Sequence, residues 1–137
     1  MAMPPDASPQ VFRIDGARIH SIGDLYAQLN ALLMRNEGWE MGASLDALND
    51  VLYRFGPGGT AGPAVFVWAD HQHSREALGY ATTLRWLEDK LRHPDTFSTR
   101  TIRAQRDALM AGEGTTYFER VQEVFAGHHP GVRLELA

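Results

Sequence analysis

Five consecutive apolar residues, AVFVW at 64–68, constrain this chain more than any other stretch in it. They lie between Pro63 and Asp70. So short and unbroken an apolar run suits a strand covered on both faces, as strands are inside a parallel sheet. QVFRI (10–14) combines β-branched and aromatic residues and stops at Asp15-Gly16, which predicts a strand ending in a turn. VRLEL (132–136) alternates apolar and polar residues, the pattern of a strand with one wet face.

Helical periods fill the intervals. SIGDLYAQLNALLMR (21–35) sets Leu25, Leu29, Leu32 and Leu33 on one stripe, with Ser21 and Asp24 spaced as a capping box. A shorter helix is expected over 44–54, with Leu45, Leu48, Val51 and Leu52 inward. SREALGYATTLRWLEDKLR (74–92) is a helical region that Gly79 can divide. TIRAQRDALMA (101–111) follows, then TTYFERVQEVFAG (115–127), with Thr116 and Glu119 as a second capping box and Phe118, Val121, Val124 and Phe125 inward. GPGGTAGP (56–63) reads as a flexible break and HPDTFST (93–99) as a loop. Strands separated by helices predict an α/β fold: a three-stranded parallel sheet with right-handed crossovers and helices packed on it.

The 137 residues suit one domain with one core, and 44% hydrophobic with 22% charged residues is ordinary for a globular chain. The first residues, MAMPPDASP, read as a loose tail over 1–9, leaving 10–137 as the domain. They lack the apolar core of a signal peptide, and no apolar run approaches the ~18 residues a membrane span needs. These absences point to the cytoplasm and to no membrane partner. Cysteine is absent, which removes disulfides, thiolate catalysis and cysteine metal sites.

Catalytic signals are weak. There is no P-loop, no G-x-G-x-x-G and no G-x-S-x-G. Asp70, His71 and His73 form DHQH just past the 64–68 strand, where open α/β sheets place ligands, but H-x-H in a loop falls short of the three ligands a metal site wants. His128 and His129 sit at a helix end, where the dipole favours them without any function. Neither an enzyme, a metal nor a cofactor is expected. The net charge is −4 and Lys90 is the only lysine, whereas nucleic-acid binders are more often basic. Arg100, Arg103 and Arg106 therefore read as a solvated helix face, and no nucleic-acid partner is expected.

The acidic residues between 37 and 50 are less ordinary. Glu37, Glu40, Asp46 and Asp50 occur there without one basic residue, and their number equals the net charge of the whole chain. Asp46 near a helix start is favoured by the dipole. Asp50 lies beyond the first turn and faces Asp46 at i,i+4, a mildly unfavourable spacing for like charges. A helix with leucines inward and two carboxylates outward, beside Trp39 and Met41 in an exposed loop, is a docking face for a strongly basic partner.

GASLDALNDVL (42–52) resembles the G-x-x-L-D-A-L-x-D-x-L signature of the barstar family of intracellular ribonuclease inhibitors. IDGARIHSIGDLYAQLNALL (14–33) is similar to that family's first strand end, turn and first helix, PAVFVW (63–68) to its second strand, and VQEVF through VRLEL to its last helix and third strand. The resemblance implies a barstar-like sheet and a protein that plugs the active site of a basic ribonuclease, its carboxylates standing in for substrate phosphates. Asp50 then corresponds to the aspartate that enters the anion pocket, Asp46 to the one at the helix start, and Gly42 to a glycine that lets the enzyme approach the backbone. Trp39, Glu40 and Asn49 complete the expected contact set. Asn49 stands where the family has tryptophan, and Glu40-Met41 where it has an aromatic pair; Gly127 stands near its last acidic contact. The 69–114 stretch is read as an enlarged helical insertion. A second reading keeps the scaffold as a binding module for another toxin or a non-nuclease protein.

Overall fold

A computed structural model describes residues 9–56, 59–94 and 97–137. Most of the expected tail, the centre of the 56–63 break and the middle of the 93–99 loop lie outside the described residues. The chain runs β1 (Gln10–Asp15), α1 (Ile22–Leu33), α2 (Leu45–Leu52), β2 (Ala64–Ala69), α3 (His71–Ala77), α4 (Tyr80–Leu91), α5 (Thr99–Met110), α6 (Tyr117–Ala126) and β3 (Val132–Leu136). Short 3-10 turns follow β1 at Gly16–Arg18 and α2 at Tyr53–Phe55. The sheet order is β1-β2-β3, with both pairings parallel. The α/β architecture is therefore the one the element order predicts, with the AVFVW strand central.

How β2 is covered differs from the expectation. Phe66 and Trp68 are fully buried and belong to the main core, together with Ile14 of β1 and Val132 of β3. Val65 and Val67 point the other way and lie outside that core. Val65 is flanked in register by Val11 and Arg133, and Val67 by Arg13 and Glu135. Side chains of the neighbouring strands, Arg133 and Glu135 paired at 3.3 Å among them, thus shelter the outer face. The apolar run indicates burial but cannot distinguish cover by helices from cover by flanking strands.

Local chemistry explains most helix ends. Ser44 and Ser98 each accept a hydrogen bond from a first-turn N–H, and Thr116 with Glu119 forms the full reciprocal box. Ser21 accepts from the Asp24 N–H, but the Asp24 carboxylate accepts from His20, one residue further back than a true box. DHQH is the clearest correction: it is helical, not a loop. Asp70 takes a left-handed conformation (φ 50°) that turns the chain straight from β2 into α3. Aspartate tolerates that region better than most residues. Gly16 permits the approach of this corner to β1, since a Cβ there would lie 2.3 Å from the Ala69 carbonyl oxygen. The Ser74 hydroxyl donates to the Gly16 carbonyl and accepts from Trp68 Nε1.

A smaller core of Leu87, Ile102 and Leu109 joins α4 to α5, and Trp86 packs against both cores. The expectation of one core is thus modified. The two are also linked by polar contacts: Thr83 of α4 accepts from the Tyr117 N–H at 2.8 Å, satisfying a donor at the start of α6.

The Tyr26 and Tyr117 hydroxyls meet at 2.8 Å, tying α1 to α6 in the interior. Burial pushes both phenols above their usual pKa; the mutual hydrogen bond raises Tyr26 further and opposes the rise at Tyr117. The folded chain therefore keeps protons that the unfolded chain sheds above pH ~10. Stability should be unaffected by this pair below that pH and should fall above it, by up to about 1.4 kcal/mol per pH unit for each tyrosine. Urea midpoints followed from pH ~8 to ~11.5 should show this decline, and the double variant Tyr26→Phe, Tyr117→Phe should flatten it.

Candidate functional site

The α2 helix is fixed from beneath by Leu48, Val51 and Leu52, all buried, with Leu45 packed at the margin. That period leaves Asp46 and Asp50 on the outer face, both exposed. Neither forms an ion pair with any described cation. Their spacing is unfavourable by only ~0.2–0.5 kcal/mol, because water screens both charges.

Asn49 lies between them in sequence but not in exposure. It is half-buried, and His128 Nε2 donates to its side-chain oxygen at 2.7 Å. The His128 ring meets Tyr53 edge to face, with ring centroids 4.6 Å apart. Tyr53 is 64% exposed and extends the surface at the C-terminal end of α2. His128 and Tyr53 were not legible as site residues. The pair Asn49–His128 spans 79 positions and has no local signature.

The loop before α2 divides into an anchor and a surface. Met41 was expected to be exposed but is buried, and its backbone is clamped by one side chain. Asn30 accepts from the Met41 N–H at 2.8 Å and donates to its carbonyl at 3.2 Å. A residue flanked by Glu40 and Gly42 carries no local sign of this role. Trp39 is 57% exposed, and Glu40 and Gly42 are exposed beside it. Glu37 is drawn off the acidic group by Arg54, whose guanidinium lies 3.6 Å from its carboxylate. Arg54 also donates to the Leu33 carbonyl at 2.8 Å, closing the end of α1. Glu40, Asp46 and Asp50 are thus left exposed and without an ion pair among the described residues, with Trp39 next to Glu40 in the loop.

The histidines at the carboxyl end of β2 are engaged elsewhere. His71 Nδ1 donates to the Ala137 carbonyl at 2.9 Å, and His73 Nε2 is 3.2 Å from His20 Nδ1. Among the described residues no three His, Asp or Glu side chains gather as a metal-binding group. Nor is any helix there long and apolar enough to cross a membrane. Arg100 and Arg103 are exposed on α5, and Arg106 pairs with Asp107 at 3.3 Å.

The chain matches the family described as Barstar (barnase inhibitor) over residues 9–111. It belongs to the barstar family. The match takes in β1, α1, α2 and β2 and extends across α3 to α5, the stretch read from sequence as an insertion. No curated relative matches the chain. Barstar-family proteins are inhibitors.

Free of any partner, the Asp46–Asp50 repulsion is a small net loss. Asp50→Asn should raise the stability of the isolated protein by no more than ~0.5 kcal/mol. Paired urea titrations should show the gain shrinking with added salt.

Proposed function

We propose that this barstar-family chain inhibits a basic ribonuclease by seating α2 and the loop before it in the enzyme's active-site cleft. The observation that carries this reading is the isolation of Asp46 and Asp50: exposed, on one face of a rigidly held helix, and unpaired with any described cation. In a cationic cleft the repulsion between them becomes attraction to the enzyme's arginines or lysines, and occlusion needs no chemistry from the inhibitor. Asp50 is the central anion, Asp46 and Glu40 flank it, and Trp39 supplies apolar contact. Asn49 serves as the buttress that His128 holds.

Gly42 fits the same reading. A Cβ built there would meet nothing within 4 Å, and its φ is not in the left-handed region. The fold itself does not demand glycine at this exposed point, and the missing side chain leaves the backbone open to an approaching partner. Glu40 and Asn49 replace family aromatics, which favours a target whose rim differs from that of barnase. A different toxin protein with a basic cleft is the second reading, and the same replacements support it.

Binding of wild type and variants to small basic ribonucleases, measured by biolayer interferometry, tests the proposal. Losing one partner of a desolvated ion pair removes about 3–5 kcal/mol, so Asp50→Ala should weaken binding by a hundredfold to several-thousandfold. Most of the change should be in dissociation rate, while salt should slow association of the wild type. Gly42→Ala should weaken binding at unchanged thermal midpoint. Equal affinity for wild type and Asp50→Ala would refute the assignment.

A further inference from the structure

Lys90, the only lysine in the chain, occupies an unusual position near the end of α4. Its Nζ is 3.9 Å from the centre of the Trp86 ring and 5.0 Å from that of Phe97. The Arg120 guanidinium of α6 is 5.4 Å from the same Trp86 ring. Two cations thus lie against one aromatic ring. Both are half-buried. Burial, and then the charge of Arg120, lowers the pKa of the Lys90 amine, while Asp46 partly offsets this. Burial likewise lowers that of Arg120, against the pull of Glu123 and Glu119.

Carboxylates act on these groups only from beyond ion-pair distance: Asp46 on Lys90, and Glu123 and Glu119 on Arg120. Arg120 Nε donates to the Thr115 carbonyl at 3.3 Å, but neither Arg120 nor Lys90 forms an ion pair among the described residues. Both face a cleft of about 470 Å³ between the start of α2 and helices α4, α5 and α6. Ile102, Phe97 and Tyr117 add apolar walls, and the exposed Asp46 and Asp89 carboxylates stand at its rim.

We propose that this cleft binds a small organic anion, a carboxylate or phosphate carried on an apolar body. The oxyanion accepts hydrogen bonds from Lys90 and Arg120, supplying the direct ion-pair partner that neither has among the described residues. The body lies against Trp86, Phe97 and Ile102. The volume is that of a small-molecule site. The rim carboxylates select for a compact anion, because a polyanion with charge along its length would meet Asp46 and Asp89. The site is independent of the inhibitory reading, although Asp46 borders both surfaces.

A single lysine makes the test direct. Protein labelled with ¹³C,¹⁵N-lysine has one lysine side-chain signal, that of Lys90. The full chain is titrated with benzoate, acetate and inorganic phosphate, with sodium chloride keeping ionic strength constant. A saturable shift is expected with benzoate or phosphate, stronger for benzoate than for acetate, with a rise in the Lys90 amine pKa on binding. Saturation by benzoate but not phosphate assigns the headgroup as carboxylate; the reverse assigns it as phosphate. Arg120→Gln should weaken binding by about tenfold or more at unchanged circular dichroism. Should that variant fail to fold, Lys90→Met, followed by calorimetry, should show the same loss. Shifts linear in concentration for every probe, or affinity that survives both substitutions, overturn the proposal.

Discussion

Phe66, at the centre of β2, touches an aromatic ring on each part of the fold that the binding face needs. It stacks on Phe12 of β1 and meets Phe55, just beyond α2, and Phe125 of α6 edge to face. Such contacts add to the ~25 cal/mol per Å² of apolar burial and favour one geometry over a merely collapsed core. The central strand, the α2 segment and the last helix are thereby referred to one point. The outward face of α2 is accordingly set by the core, with the Asn49–His128 hydrogen bond as a polar brace.

The binding face is built against its own electrostatics. Two aspartates one turn apart weaken the free protein slightly and form no ion pair with a described cation. Arg54 shows that the chain can supply a guanidinium to this neighbourhood, yet it is directed to Glu37 and the end of α1. The one carboxylate neutralised is thus the one furthest in sequence from α2. Lys90 lies close enough to feel Asp46 but is held on Trp86.

Local pattern made most of the fold legible. The AVFVW run placed the central strand, the leucine periods placed α1 and α2, and the same period separated buried Leu48 and Leu52 from outward Asp46 and Asp50. What pattern could not show depends on residues distant in sequence. Met41 looked exposed because its loop is polar; its side chain joins the main core, and Asn30 holds its backbone there. The hydrogen bond of Asn49 to His128, which comes from the other end of the chain, has no trace in local pattern. DHQH looked like a loop because histidine and aspartate are weak helix formers, whereas a single left-handed aspartate let the helix begin early. The shelter of Val65 and Val67 by flanking strands is a property of sheet order, which no single segment encodes.

The clamp of Asn30 on Met41 has a consequence for recognition. By engaging both the N–H and the carbonyl of one residue, the amide acts as a short piece of neighbouring strand and holds the loop in a single course before any partner arrives. Much of the conformational entropy of the segment leading to Gly42 is therefore already lost in the unbound protein. In the proposed inhibitory role, association then has less disorder to remove, so the clamp contributes to affinity by preorganisation.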